Sequence, residues 1–332
     1  MNLSDRIIAF QKLGIVCRNL TINSSHLIFK KIERENEYFT KENVIQSLIS
    51  ISHFLTTSKL EEWVKNYDLS LCSESKKVGV FLAGNIPLVG FHDFLCVLIL
   101  NHKFVAKFSS KDTILFTYLI EELCIIEPRF KSKIILQSNI YDSDIFICTG
   151  NDLTAKYLDF MLKSKPRLIR ASKSSVAILD GNETEEYIQL LMKDMFLYFG
   201  LGCRSVSKLF IPRSYDIHLM KTFFSEISHF LNHEFYLDNY RYYKSLYNLS
   251  NKNFIDFESL LLLESKELFS PISVVYYEFY DKITEISMDF NKIQCVVSNN
   301  NIFNSVPFGE AQRPGLFDYA DNIDTINFLL KN

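Results

Sequence analysis

The stretch KVGVFLAGNIPLVG, residues 77–90, decides the fold of this chain. It opens with a short, apolar run rich in β-formers, which predicts a buried strand that ends before Gly84. From Phe91 onward the apolar residues recur at helical spacing. A buried strand that leads through a turn into a helix is the repeating unit of a parallel sheet covered by helices on both faces.

The same alternation continues over most of the chain. Short apolar runs predict further strands at 103–108, 133–137, 144–148, 167–171, 176–179, 206–211, 272–277 and 293–298. Helical periodicity predicts helices at 4–13, 41–56, 58–66, 112–126, 153–162, 216–231 and 281–291. The predicted fold class is therefore α/β with two lobes. A doubly wound sheet binds ligands beyond the carboxyl ends of its strands, which directs attention to the loops at Gly84, Lys107 and Thr149.

The composition is that of a globular protein that does not bind nucleic acid. Of its 332 residues 48% are hydrophobic and 23% are charged, which suits a sizeable core. The net charge of −3 is opposite in sign to the surface that neutralises phosphates. The chain has 29 Phe and 17 Tyr. This content predicts a phenylalanine-filled core, and an aromatic-lined channel for an apolar substrate is the alternative.

The cysteines predict free thiols and no metal site. They are odd in number and widely spaced: Cys17, Cys72, Cys96, Cys124, Cys148, Cys203 and Cys295. None forms a C-x-x-C pair or has a histidine at metal-ligand spacing. Residues 1–14 lack the features of a secretory signal, and the apolar run at 91–100 is too short to span a bilayer. The sequence thus predicts a soluble, cytoplasmic protein.

The run FGLGCRSVSKLFIP, residues 199–212, places Cys203 between flexible backbone and a predicted strand. Gly200 and Gly202 permit a close approach that bulkier residues would block. A thiol at such a junction can attack a carbonyl carbon while backbone N–H groups face the developing oxyanion. The alternative is an ordinary buried cysteine, which is the commoner role of this residue.

Other unusual loops follow the predicted strands. Asn85, after the first strand, can offer its side-chain amide to an oxyanion, and Lys107 can hydrogen-bond a ribose or phosphate. The segment CTGND, 148–152, can direct helix N–H groups toward an anion. Two more such loops are ELFSP, 267–271, and PFGEAQRPG, 307–315.

In this order the segments resemble the aldehyde dehydrogenase superfamily, and more closely its long-chain acyl-CoA reductase branch, which includes the fatty-aldehyde-producing reductase of bacterial luminescence. The resemblance covers about two-thirds of the chain, residues 80–315, and leaves the first 75 residues poorly matched. The family's N-[FIY]-P, K-P-x-E and F-T-G-S segments are similar to Asn85-Ile86-Pro87, Lys107-Phe108-Ser109-Ser110 and Cys148-Thr149-Gly150-Asn151. Its G-x-x-C, E-[IL]-F-G-P and P-F-G-G segments are similar to Gly200-Leu201-Gly202-Cys203, Glu267-Leu268-Phe269-Ser270-Pro271 and Pro307-Phe308-Gly309-Glu310.

The resemblance implies a Rossmann-type cofactor domain with a second α/β catalytic domain, and it assigns roles to residues. Cys203 would form a thioester with an acyl group, which a reduced nicotinamide converts to aldehyde. Asn85 and the Cys203 backbone N–H would hold the oxyanion. The cofactor-binding residues that it implies, with Lys107 at the adenosine ribose and Glu267 at the nicotinamide ribose, are Lys107, Ser109, Ser110, Thr149, Gly150, Glu267 and Phe269.

Departures from the family pattern narrow the activity. Members that hydrolyse the thioester carry a glutamate as general base, but the matching stretch Arg170-Ala171-Ser172-Lys173 has no carboxylate. This favours reduction or transfer to coenzyme A over hydrolysis. Ser110 stands where a glutamate would repel a ribose 2′-phosphate, and Lys111 follows it, so NADPH is favoured while NADH stays open. Glu310, in place of a glycine, has no explanation from the general family.

The sequence predicts a division into an N-terminal helical segment (1–75), a dinucleotide-binding domain (76–200), a catalytic domain (201–305) and a C-terminal segment that returns toward the cofactor domain (306–332). The predicted activity is reduction of a long-chain fatty acyl thioester by NAD(P)H. Two alternatives stay open: an acyl-phosphate reductase of the same superfamily, and a non-catalytic scaffold. The donor is acyl-CoA or an acyl carrier, and the resemblance allows a homo-oligomer and a partner protein that supplies the acyl group. His92 is interpreted as a packed or capping residue rather than a proton donor.

Overall fold

The structure is a computed structural model, and it describes residues 1–23, 25–71, 74–218, 220, 221, 224, 232–300 and 302–332. The chain divides into two compact units, of which the first is Met1–Ser172 with Pro314–Asn332 and the second is Lys173–Arg313. The first 75 residues therefore belong to the first unit. Residues 173–200, which the sequence predicted within the dinucleotide-binding domain, lie in the second unit. Cys72 lies outside the described residues.

The first unit is built around a parallel sheet with strand order β3-β2-β1-β4-β5. Its strands are β1 (Lys77–Phe81), β2 (Lys103–Lys107), β3 (Ile134–Leu136), β4 (Ile145–Thr149) and β5 (Arg167–Arg170). Its helices are α1 (Leu3–Ile22), α2 (Ile28–Glu35), α3 (Lys41–Phe54), α4 (Thr57–Val64), α5 (Phe91–Ile99), α6 (Ile114–Ile126) and α7 (Asp152–Met161), with a last helix at Thr325–Lys331. The predicted parallel sheet is confirmed, and its central strands β1, β2 and β4 are buried on both faces.

Phenylalanines fill the core of the first unit. Phe10, Phe94, Phe104 and Phe116 are at most 1% exposed. Phe94 packs edge-to-face on the other three rings at centroid distances of 4.9–6.0 Å. Such pairs each contribute about 0.5–1.5 kcal/mol beyond their burial. The prediction of a phenylalanine-filled core is confirmed here.

Short side chains define where several helices begin. Asn2, Thr40 and Asn151 each accept a hydrogen bond from the backbone N–H three residues later, at the starts of α1, α3 and α7. Each cap satisfies a donor that the helix leaves free, and its loss costs about 1 kcal/mol. In the portion of the chain that the structure describes, no helix is both long enough and apolar enough to cross a bilayer.

The second unit contains a mixed sheet with strand order β11-β6-β7-β10-β9-β8. Its strands are β6 (Ser174–Ile178), β7 (Val206–Pro212), β8 (Ile255–Asp256), β9 (Leu261–Glu264), β10 (Val274–Tyr280) and β11 (Ile293–Val297). Its helices include α8 (Glu185–Phe196) and α9 (Glu234–Leu249). The last helix of the first unit, Thr325–Lys331, is numbered α10. β8 pairs antiparallel with β9, whereas the remaining pairs are parallel.

Several predicted elements differ from the structure. The predicted helix at 281–291 is wrong: the segment forms two short 3₁₀ turns, Ile283–Glu285 and Phe290–Lys292. The Asp289 side chain accepts the Asn291 N–H at 3.1 Å, a local bond that competes with a continuous helix. Most of the predicted helix at 216–231 lies outside the described residues.

Candidate functional site

The first unit gathers the three predicted ligand-binding loops, at Gly84, Lys107 and Thr149, at one edge of its sheet. Phe81, the last residue of β1, pairs with Lys107 of β2 on one side and with Cys148 of β4 on the other. Parallel strands in register end together, so the loops after these strands start side by side. The chain order of the strands reverses between β1 and β4, and a crevice at such a switch point is where doubly wound sheets bind ligands.

The loop that carries Asn85 packs directly on the segment after β2. A Cβ atom at Gly84 would lie 2.5 Å from Ser109 Oγ, so only glycine fits there. The same contact brings the Asn85 loop beside the predicted cofactor segment. Lys107 and Ser110 are exposed to solvent at this edge, as is Asn85 itself.

Buried groups hold the Asn85 loop in place. Asp112 is 3% exposed and accepts the Leu88 N–H at 2.8 Å. Ser47 Oγ donates to the Pro87 carbonyl at 2.8 Å. Burial raises the pKa of the Asp112 carboxyl to about 7. Leu88 has a φ of 59°, a left-handed conformation that these anchors stabilise.

The turn after β4 contains Thr149 and Gly150, both half-buried. The Gly150 N–H donates to the Arg170 carbonyl at 3.2 Å, which ties the turn to β5. Asn151 caps α7, and Asp152 occupies the first turn of that helix. The Thr154 N–H is taken up by the Asn151 side chain at 2.8 Å, and Asp152 Oδ1 accepts the Ser172 N–H at 2.9 Å, so the anion site at CTGND stays a prediction. Burial raises the pKa of the neighbouring Cys148 thiol to about 12, which fits its predicted structural role.

His92 is a packed residue, as predicted. Its ring lies 5.1 Å from the Tyr319 ring and 5.7 Å from the Trp63 ring, centroid to centroid. Its Nε2 lies 3.0 Å from the Leu316 carbonyl oxygen. Burial lowers the pKa of His92, so the ring is neutral at physiological pH. A neutral ring enclosed by aromatic residues is poorly suited to deliver a proton.

Arg170, in the stretch 170–173 that has no carboxylate, is a buried structural cation. Its guanidinium donates to Asp93 Oδ2 at 2.6 Å and to Thr325 Oγ1 at 2.8 Å. Arg170 and Asp93 are 3% and 6% exposed. Removing one partner of such a pair costs about 3–5 kcal/mol because the other charge is left buried and unpaired. The pair holds the last helix, α10, against α5 and β5 within the first unit.

In the second unit Cys203 lies on a tight turn immediately before β7. The Ser205 N–H donates to the Gly202 carbonyl at 3.0 Å and closes the turn around Cys203 and Arg204. Cys203 is half-buried as a residue and is a free cysteine. This geometry agrees with the expected junction of flexible backbone and strand.

The backbone that leads into this turn is strained. Tyr198, Phe199 and Gly200 have φ values of 56°, 56° and 76°, three left-handed residues in succession. The two aromatic residues are each 5% exposed, so burial of their rings offsets the strain. A left-handed conformation costs a non-glycine residue about 1–2 kcal/mol. Strain of this kind collects at functional sites, where the surrounding structure enforces an unusual geometry.

The ELFSP loop lies near the same end of the second unit's sheet as the Cys203 turn. Ser207, four residues after Cys203, donates from Oγ to the Leu268 carbonyl at 2.5 Å. Glu267 and Phe269 flank Leu268 and are both exposed, Phe269 by 41%. Both predicted cofactor residues of this loop are therefore accessible to a ligand.

Asp194 on α8 organises the loop at 307–313, a role that the sequence did not indicate. This fully buried carboxylate accepts the Gly309 N–H at 2.6 Å and the Ala311 N–H at 3.1 Å. Gln312 Nε2 donates to Ser205 Oγ at 3.1 Å, so the loop also contacts the Cys203 turn. Glu310 points to the surface, 3.5 Å from Arg313, which accounts for a charged residue at this position.

We expect Asp194→Asn to change how stability depends on pH. Burial raises the pKa of the Asp194 carboxyl from 3.8 to about 7, against its backbone hydrogen bonds and beside Glu310. Between these values the folded protein keeps a proton that the unfolded chain loses, so stability falls as pH rises. The group contributes up to about 1.4 kcal/mol per pH unit in this window. Urea unfolding from pH 4.5 to 7.5 should show a shallower decline for the variant, and parallel curves would contradict the prediction.

Across the described residues, no group of three or more His, Cys, Asp or Glu side chains is arranged to hold a metal ion. The cysteines that the structure describes are free thiols.

No protein-family model matches the chain, and a search of curated proteins gives no match. Solved structures do resemble it. Aldehyde dehydrogenase 21 from Physcomitrella patens, in complex with the reaction product succinate, has a TM-score of 0.70 at 13% identity, over 100% of this chain and 84% of that one. An NAD+ complex of an aldehyde dehydrogenase from Bacillus cereus has a TM-score of 0.61 at 13% identity, over 90% and 72%. An aldehyde dehydrogenase from Mycobacterium tuberculosis, complexed with NAD+, has a TM-score of 0.62 at 12% identity, over 86% of this chain and 70% of that one.

Identity of 13% or less is informative about the fold alone. The chain has the fold of the aldehyde dehydrogenases, with a parallel sheet in the first unit and a mixed sheet in the second. The predicted fold class is confirmed. What the chain does with this fold is a separate question, because one fold hosts many activities.

Proposed function

We propose that this protein is an NAD(P)H-dependent acyl-CoA reductase that forms its aldehyde product through a thioester on Cys203. The observation that carries the proposal is the Cys203 turn: a half-buried free cysteine follows a strained left-handed segment and immediately precedes a central strand. A cysteine held on a hydrogen-bonded turn is an arrangement that suits nucleophilic catalysis.

The first step is acyl transfer to the protein. The Cys203 thiolate attacks the acyl carbonyl carbon, the new bond to sulfur forms, and coenzyme A leaves with the electron pair of the broken C–S bond. Asn85 is proposed to donate from its side-chain amide to the oxyanion. The anchors at Asp112 and Ser47 keep its loop fixed, and a donor fixed in advance needs no reorganisation as charge develops.

The residues at the edge of the first unit's sheet suit a nicotinamide dinucleotide. Lys107, Ser110 and Lys111 are exposed there, and the nearby Asp112 carboxylate is buried and directed at the Leu88 backbone. Ammonium and hydroxyl donors are compatible with ribose hydroxyls and with a 2′-phosphate, which favours NADPH. When bound, the reduced nicotinamide supplies the hydride that displaces Cys203 and releases the aldehyde. By the resemblance, Glu267 and Phe269 are proposed as further cofactor-binding residues.

Water is proposed to be a poor competitor for the thioester. Arg170 is engaged by Asp93 and Thr325, and a guanidinium cannot act as a general base at physiological pH. The choice of a long-chain acyl group rests on the resemblance, because the phenylalanines of the first unit pack on one another rather than around a channel.

A direct assay of substrate class tests the proposal. Purified protein is mixed with NADPH and either a long-chain acyl-CoA or the matching acyl phosphate, and both NADPH oxidation and aldehyde are measured. The proposal expects one aldehyde per NADPH oxidised with the acyl-CoA. Turnover with the acyl phosphate alone would favour the semialdehyde-forming alternative. Absence of turnover, together with no thermal shift by NADPH or NADH, would favour a scaffold.

A further inference from the structure

Ser175 is the second residue of β6, which lies between β7 and β11 in the sheet. It links the backbone of Cys203, just before β7, to β11. The residue is 0% exposed. Its Oγ donates to the Cys203 carbonyl oxygen at 3.0 Å. Ser175 Oγ itself accepts the Cys295 N–H at 3.2 Å and the Cys295 thiol at 3.3 Å.

The hydroxyl of Ser175 uses its full hydrogen-bonding capacity in this arrangement. A serine hydroxyl has one proton to donate and two lone pairs that accept. Cys295 provides both incoming donors, so the proton of Ser175 is left for the Cys203 carbonyl. An alanine side chain at position 175 could make none of these three bonds. The pattern therefore depends on a hydroxyl at this buried position.

These bonds fix the peptide that follows Cys203. The bond from Ser175 holds the Cys203 carbonyl, while the Ser205 N–H holds the Gly202 carbonyl on the other side of the residue. The Ser175 N–H also donates to the Ser205 carbonyl at 3.3 Å. With the peptide groups on both sides restrained, the backbone dihedrals of Cys203 are set, and so is the direction of its Cα–Cβ bond.

We propose that Ser175 is a positioning residue that aims the Cys203 thiol for acyl transfer. The inference rests on the proposed function and extends it to a residue that touches the nucleophile's backbone. A misplacement of about 1 Å at a reacting atom can cost about 100-fold in rate. Loss of the Ser175 hydroxyl should therefore slow the acylation of Cys203 while leaving the binding of acyl-CoA intact.

The preceding serine supplies a matched control. Ser174 donates to Ser207 Oγ at 2.5 Å, and Ser207 donates to the Leu268 carbonyl. Adjacent residues of a strand point to opposite faces, so this second pair of hydroxyls holds the ELFSP loop rather than the Cys203 turn. Ser207→Ala removes a hydroxyl of the same kind from the same end of the sheet without touching the bond to Cys203.

The test compares wild type, Ser175→Ala, Ser175→Thr, Ser207→Ala and Cys295→Ala in the full chain. Hydrogen exchange of peptides that cover 199–206 reports the order of the turn. Single-turnover acylation with a long-chain acyl-CoA reports its function as a saturating rate and a half-saturating concentration. We expect Ser175→Ala to increase exchange in 199–206 and to lower the saturating rate by about 10- to 100-fold with the half-saturating concentration unchanged.

The other variants separate positioning from general damage. Ser175→Thr keeps the hydroxyl and should restore both readouts, and Cys295→Ala keeps the Ser175 donor bond and should stay within about threefold of wild type. Ser207→Ala should loosen 265–271 and leave 199–206 protected. If Ser175→Ala fails to fold, Ser175→Cys replaces it, because a thiol is a much weaker donor.

The two proposals fail in different ways. Unchanged exchange in 199–206 on loss of the Ser175 hydroxyl would overturn the positioning role, whatever the acylation rate. An equal slowing in Ser207→Ala would also overturn it. In a third outcome the wild-type protein is never acylated, although the turn loosens in Ser175→Ala. That result would refute the acyl-transfer activity and, with it, the role of Ser175 in aiming the thiol for that reaction.

Discussion

Replacing Cys203 by alanine is expected to abolish the reduction of acyl-CoA to aldehyde, with a loss of at least about 1,000-fold in kcat. The proposed chemistry begins with a bond between the acyl carbon and the Cys203 sulfur, and an alanine side chain cannot form that bond. Binding of NADPH should be unaffected, because the thiol is not among the residues proposed to hold the cofactor. The measurement is aldehyde production, with NADPH binding followed by thermal shift.

Cys124 provides the matched control for this substitution. Its thiol is half-exposed on α6 of the first unit, in a segment to which no catalytic role is assigned. Cys124→Ser should keep full activity. If Cys203→Ala instead retained aldehyde formation, Cys203 would not be the nucleophile, and a search for another acylated thiol would begin with the neighbouring Cys295.

The second large effect is expected from Asn85→Ala, which should lower kcat by about 100- to 1,000-fold with a small change in KM. A side-chain amide that faces the oxyanion interacts more strongly with the transition state than with the ground-state carbonyl, so its loss falls on the chemical step. The structure keeps the Asn85 loop fixed through Asp112 and Ser47, and therefore truncation at Asn85 should not disturb the fold.

Steady-state kinetics and a urea unfolding curve for the same variant check this prediction. Asn66, an exposed residue that donates to the Glu62 carbonyl after α4, is the control, and Asn66→Ala should leave kcat unchanged. A rise in KM at constant kcat for Asn85→Ala would mean that Asn85 contributes to ground-state binding rather than to the oxyanion.

Much of the architecture could be predicted from local sequence pattern. The runs at 77–83, 103–108 and 144–148 are continuous and apolar because their strands are buried on both faces, and each corresponds to a strand of the first unit. The α8 and α9 helices were not predicted. Polar and aromatic residues dilute the apolar periodicity of α9, whose sequence EFYLDNYRYYKSLYNL buries tyrosines against the sheet.

The loops of the candidate site could be located from motifs, whereas the groups that hold them could not. Cys203 and Asn85 lie in glycine-containing turns that stand out in the sequence. Asp194, however, acts on Gly309 from 115 residues away, and Ser175 acts on Cys203 from 28 residues away. Such contacts depend on which strands and helices become neighbours, and no local pattern in a single sequence encodes that.

The most direct test of the account is a pulse and chase on the wild-type protein, followed by intact mass. Long-chain acyl-CoA is added first without nicotinamide, the adduct is mapped, and NADPH is then added. The account predicts a single acyl group on Cys203 that disappears on addition of NADPH, with an equal amount of aldehyde formed. A protein that acquires no adduct on Cys203, or an adduct that NADPH leaves in place, would contradict it.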